Sequence, residues 1–156
     1  MNDAREITPT ITVADQPSEA DLEALKEAGY KGVINLRNDG EPEQPLGTAA
    51  EGERVRALGM DYLHYGVGGA PLSEDGVASV CDFLDRHGSE RVLVHCRKGG
   101  RARALVLLQQ AKAQKWTADE AIARGAAMGL EVEGGGLRML VEKYLREQDE
   151  GGDARG

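Results

Sequence analysis

A chain of 156 residues with 40% hydrophobic and 29% charged residues can bury one substantial core, which excludes a wholly disordered protein. The formal net charge of -8 argues against a general nucleic-acid surface, because phosphate backbones are held by clustered Lys and Arg. The longest apolar run, Ala104 to Leu108, is too short to cross a bilayer and the polar start MNDAREITPT has no signal-peptide core, so a cytoplasmic protein with no membrane partner is expected.

In chain order, ITPTITVADQ alternates through Ile11 and Val13 and reads as a short edge strand in which Pro9 is tolerable. PSEADLEALKEAG follows as a helix, with Ser18 and Asp21 as a capping box, Leu22 and Leu25 as its apolar stripe and Gly29 as its stop. KGVINLR is a nearly continuous apolar run suited to a strand buried on both faces, and NDGEPEQP after it is a loop. Thr48 and Glu51 repeat the capping-box signature and open a weaker helix ending at Gly59. DYLHYGV is the next strand, and Ser73 caps a helix in which Val77, Val80, Cys81 and Leu84 share one face. RVLVH is the fourth main strand. Helices are then predicted over 101–114, over 117–128 behind the box Thr117 and Glu120, and over 137–147, leaving 148–156 as a flexible polar tail. This alternation predicts an α/β fold: a mostly parallel sheet of four to five strands, helices on both faces and a helical C-terminal third.

In such sheets ligands bind where strands end and helices begin. VLVHCRKGGRARAL, residues 92–105, lies at that place and combines a cysteine, two glycines and three arginines. Glycines at 99 and 100 let successive N–H groups turn inward, and the helix starting near Arg101 aims its positive end at the same spot. A nest of this kind favours a thiolate and binds a tetrahedral oxyanion by the same physics. Cys96 is therefore the candidate nucleophile and Arg101 the candidate bidentate clamp, with amides of Arg97, Lys98, Gly99, Gly100 and Ala102 as the oxyanion loop. His95 points to the opposite face from Cys96 and is expected to hold the loop rather than act as a base. Cys81 reads as core packing, and His64 and His87 as structural or surface residues. With fourteen residues between them, the two cysteines suit neither a disulfide scaffold nor a zinc site, and no metal or cofactor is expected.

On these residues the chain resembles the cysteine phosphatases, and more narrowly the bacterial phosphatase-like domains related to dual-specificity and tyrosine phosphatases that occur with beta-lactamase hydrolase-like proteins. The resemblance rests on QPSEADLEALKEAGYKGVINLRNDGE and VLVHCRKGGRA and covers roughly residues 10–130. It implies a single phosphatase-like domain over 1–147 and a cysteinyl-phosphate mechanism with Cys96 as nucleophile, Arg101 and the loop amides as oxyanion holders, and a carboxylic acid that protonates the leaving group. Candidates for that acid are Asp39, Glu41 and Asp75, while Glu74 and Asp75 also suit the first turn of a helix.

Two features depart from tyrosine and dual-specificity phosphatases, which place five residues between cysteine and arginine and carry an aspartate acid ahead of the helix before the catalytic strand. Here arginines fall at the fifth and seventh positions after Cys96 with Ala102 between, leaving open whether Arg101 or Arg103 clamps the anion, and the corresponding loop, GVGGAPLSED, is glycine-rich. CRKGGR also resembles the active loop of rhodanese-type sulfurtransferases, whose cysteine persulfide chemistry needs no acid. The expected activity is a phosphomonoester hydrolase acting on a small anionic substrate or a phosphorylated protein, with a sulfurtransferase or a non-catalytic phospho-binding module as alternatives.

Overall fold

The computed structural model describes residues 1–68, 71–132 and 135–155, with side chains through residue 150. Gly69 and Ala70 of the glycine-rich loop, and Glu133 and Gly134 of the EGGG segment, lie outside the described residues. The elements are β1 (Arg5–Glu6), β2 (Ile11–Ala14), α1 (Glu19–Glu27), β3 (Tyr30–Asn35), α2 (Thr48–Ala57), β4 (Asp61–His64), α3 (Glu74–His87), β5 (Arg91–His95), α4 (Gly100–Gln114), α5 (Ala118–Ala127) and α6 (Gly135–Arg155). The five strands form one sheet in the order β1-β2-β5-β3-β4. All neighbours run parallel except β1, which pairs antiparallel with β2.

β5 takes the central place because Val92, Leu93 and Val94 are apolar on both sides of the strand and are fully buried. Its alternation divides the core in two. Val92, Val94 and Cys96 face α3, α4, α5 and α6 in the larger cluster, while Leu93 faces the smaller one, with Leu22 and Leu25 of α1 and Val55 of α2. Pairing Ala14 and Asn35 with His95, and Asn35 with His64, brings four strand ends level at one edge. Residues 15–16, 36–37, 65 and 96–97 therefore leave the sheet side by side.

Capping boxes at Ser18 with Asp21 and at Thr117 with Glu120 form as the sequence predicts, and Ser73 caps α3. Three expectations change. β2 is not at the edge, because the chain before it doubles back as the two-residue β1. Thr48 is the first residue inside α2 rather than its cap; Asp39 from the preceding loop accepts from the Thr48 N–H (2.8 Å) and hydroxyl (3.1 Å), which frees Glu51 to turn into the core. α6 runs on through the expected tail to Arg155, and Asp149 there accepts from the Ala118 N–H at 3.0 Å, supplying an acceptor to the first turn of α5.

α4 is the helix that carries the candidate loop, and its Leu105 is fully buried against the sheet. Leu105→Ala should destabilise the fold by about 2–5 kcal/mol through lost burial and a residual cavity. Urea unfolding should show a lower midpoint with unchanged slope.

Candidate functional site

The turn between β5 and α4 is only Cys96 to Gly99. Gly99 closes it with φ +100°, the left-handed region, and serves as the N-cap of α4. In that conformation its N–H donates to Cys96 Sγ at 3.0 Å. The N–H groups of Arg97, Lys98, Gly100, Arg101 and Ala102 have no hydrogen-bond partner in the protein among the described residues, as expected for a turn running into the first turn of a helix. Cys96 is buried at the head of this array of free donors.

Arg101 lies beside it on the β3 side. Its Nη1 donates to Glu41 Oε2 (2.8 Å), to the Val67 carbonyl (2.9 Å) and to the Leu36 carbonyl (3.4 Å), and its Nη2 donates to Glu41 Oε1 (2.7 Å). These bonds occupy Nη1 and one hydrogen of Nη2, leaving the Nε edge of the fork without a hydrogen-bond acceptor among the described residues. Hydrogen bonds to Glu41, with the neighbouring Cys96 sulfur adding to them, raise the Arg101 pKa further.

Glu41 also accepts from Arg37 Nε (3.1 Å) and the Asn38 N–H (2.6 Å). The Arg101 bonds, reinforced by those from Asn38 and Arg37, lower its pKa from 4.5 to about 2 despite partial burial. Of the three carboxylates expected as proton donors, Glu41 thus has the geometry of an ion partner and carries no proton at neutral pH. Asp39 is held below its usual range by the Thr48 N–H and is engaged at the start of α2. Asp75 is exposed in the first turn of α3 with no ion pair among the described residues.

Three participants escaped sequence reasoning. Arg37 is fully buried and donates to Gln16 Oε1 (2.7 Å), the Pro42 carbonyl (2.5 Å) and the Glu43 carbonyl (3.4 Å) as well as to Glu41. Glu43 adopts φ +61° to offer that carbonyl, and its carboxylate pairs with Arg97 at 3.1 Å. Gln16 passes the network on by donating to Glu51 Oε1 at 2.9 Å, and Glu51 Oε2 meets His95 Nε2 at 2.8 Å. Burial pushes the Glu51 carboxyl up, but His95 and Gln16 together bring it below the ordinary range. The signals available were an arginine ending an apolar strand and a glutamate four residues before the buried Val55. His95 lies on the other sheet face from Cys96, with Nδ1 at 3.4 Å from the Cys96 carbonyl. His64 Nε2 lies 2.6 Å from the Arg37 carbonyl. Among the described residues no cluster of three or more His, Cys, Asp or Glu could hold a metal, and no helix is long and apolar enough to cross a membrane.

Residues 3–113 match the family model of the beta-lactamase hydrolase-like protein, phosphatase-like domain. The chain belongs to that family. This phosphatase-like domain is 37% identical over 108 residues to a beta-lactamase hydrolase-like protein of Agrobacterium fabrum, covering 67% of this chain and 24% of that protein. It is 33% identical over 129 residues to one from Xylella fastidiosa, covering 81% and 29%. The phosphatase-like domain thus spans less than a third of the curated relatives it matches. Among solved structures, a DUF442 protein of Shewanella putrefaciens CN-32, crystallised as a candidate phosphatase, is 30% identical with a TM-score of 0.63, covering 72% of this chain and 69% of that one. PTPMT1 shares the fold with a TM-score of 0.78 at 17% identity, covering 99% and 100%.

Glu41 makes a distinct pH signature for the domain. A carboxylate whose pKa is depressed on folding stabilises above its unfolded value, and that stabilisation is lost as pH falls through the folded value. The stability advantage of wild type over Glu41→Gln should therefore be about 1–3 kcal/mol at neutral pH, between the values for exposed and buried pairs. It should shrink as pH falls from about 4.5 to about 2, as chemical denaturation across that window would show.

Proposed function

We propose that this domain is a cysteine-dependent phosphatase acting on the phosphomonoester of a small anion or a phosphorylated protein. The observation that carries the reading is the Gly99 N–H on Cys96 Sγ at the start of α4, with the free Nε edge of Arg101 beside it. Cys96 Sγ would attack phosphorus while the amides of residues 97, 98 and 100–102 and Arg101 hold the non-bridging oxygens. As the P–O bond breaks, the leaving oxygen takes a proton; water then cleaves the S–P bond and returns the thiolate. Of the carboxylates expected for the proton transfer, Asp75 is the one whose geometry leaves it available, since Glu41 and Asp39 are engaged elsewhere. The Val67 carbonyl on Arg101 brings the residue eight positions before Asp75 to the site.

A second reading is favoured by a specific observation. Only four residues separate Cys96 from Arg101, and two of the three candidate acids are committed to other bonds. Sulfur transfer needs no acid: Cys96 would attack the outer sulfur of thiosulfate, sulfite would leave with the S–S bonding pair, and the persulfide would pass its sulfur to a thiophilic acceptor.

Purified protein should release phosphate from an aryl phosphate, lose that activity in Cys96→Ser, and lose about 100-fold or more of kcat in Asp75→Asn. Intact mass after thiosulfate treatment decides between the readings. A lasting gain of one sulfur atom at Cys96, with no Cys96-dependent phosphate release, would overturn the phosphatase reading and establish the second.

A further inference from the structure

Two arginines follow the loop, and the structure treats them differently. Arg101 is bound by a carboxylate and two carbonyls on the β3 side. Arg103, two residues on, faces the other flank: a Cβ placed on Gly99 would come 3.1 Å from its Nη1, and one on Gly100 would come 3.9 Å from its Nη2. Among the described residues its side chain makes one hydrogen bond, from Nε to the Glu131 carbonyl at 3.4 Å, and no ion pair. The guanidinium is thus anchored at Nε, with Nη1 beside Gly99, whose N–H contacts Cys96 Sγ, and Nη2 beside Gly100.

Charge accounting around the loop sharpens the contrast. Arg37 and Arg101 share Glu41, and Arg97 pairs with Glu43. Lys98 is exposed. In a chain of net charge -8, an incoming anion meets general repulsion, so a planar cation at the rim of the loop with no ion pair among the described residues is a strong discriminator.

We propose that Arg103 is a specificity-determining residue: it binds a second anionic group, a carboxylate or sulfonate, on the body of the substrate away from the reacting atom. A planar guanidinium suits this role because two terminal N–H groups can meet both oxygens of such a group, whereas lysine would supply only a point charge. Arg101 would then orient the reacting group and Arg103 would select what is attached to it. The inference rests on Cys96 being the nucleophile but holds for phosphoryl and sulfur transfer alike.

Alkylation of Cys96 tests it without knowledge of the substrate. Iodoacetate and iodoacetamide react identically, the thiolate forming an S–C bond as iodide leaves with the C–I pair, but only iodoacetate carries a carboxylate. The rate ratio of iodoacetate to iodoacetamide at Cys96, followed by intact mass with Cys96→Ser as control, should fall about threefold or more in Arg103→Gln. Arg103→Lys should recover part of the ratio, and added salt should narrow the gap between wild type and Arg103→Gln. A folded Arg103→Gln protein with the wild-type ratio would overturn the inference and leave Cys96 as nucleophile intact. A folded wild-type protein in which neither reagent modifies Cys96 would overturn the nucleophile itself, and this inference with it.

Discussion

The carboxylate of Glu41 is the constraint around which the site is arranged. It offers four acceptor positions, and four donors fill them: Arg101 twice, Arg37 Nε and the Asn38 N–H. An ion pair in a partly buried place repays its desolvation only when the remaining lone pairs are satisfied, and here they are. Filling both oxygens from both sides also fixes the plane of the Arg101 guanidinium, which otherwise has several rotamers to choose from. In its proposed role as a clamp, Arg101 would thereby be set before any anion arrives, which lowers the ordering cost of binding one.

Arg37 explains why the loop after β3 takes its shape. A fully buried guanidinium tolerates no idle donors, and a strand end supplies few acceptors, so the chain from Asn38 to Glu43 curls back to present a carboxylate and two carbonyls. The left-handed backbone at Glu43 is a local cost of that curl, held by the same bonds. Gln16 then links Arg37 to Glu51. Its oxygen accepts from Arg37 and its nitrogen donates to Glu51, an orientation that the partners dictate, since a flipped amide would set N–H against guanidinium and oxygen against carboxylate. A continuous chain of hydrogen bonds runs from His95 through Glu51, Gln16, Arg37 and Glu41 to Arg101, wrapping the end of the central strand from which Cys96 emerges.

What was legible in the sequence follows from how local each signal is. The period of two in RVLVH, the capping boxes at Ser18 and Thr117 and the glycines after Cys96 each work within a few residues, and each element formed where these signals lie. The same local rule misassigns Glu51, because a competing acceptor, Asp39, sits nine residues before Thr48 and reaches it only once the loop has folded. Arg37, Gln16 and Glu41 are separated by up to twenty-five positions along the chain, and nothing in spacing alone links them. Their association depends on level strand ends, a property of register across the sheet.

With the turn ending at Gly99, α4 begins one residue later, and Arg101 sits inside the first helical turn. Its side chain must reach back along the helix to stand beside Cys96, which is the direction helical side chains favour. Arg103, two positions on, projects from another side of the same turn, toward the Glu131 carbonyl. A helix places residues two apart about 200° around its axis, so a basic pair at the fifth and seventh positions after the cysteine cannot converge on one group. The spacing that departs from the dual-specificity pattern therefore turns the two cations to different sides of α4, one paired with Glu41 and one with no ion pair among the described residues.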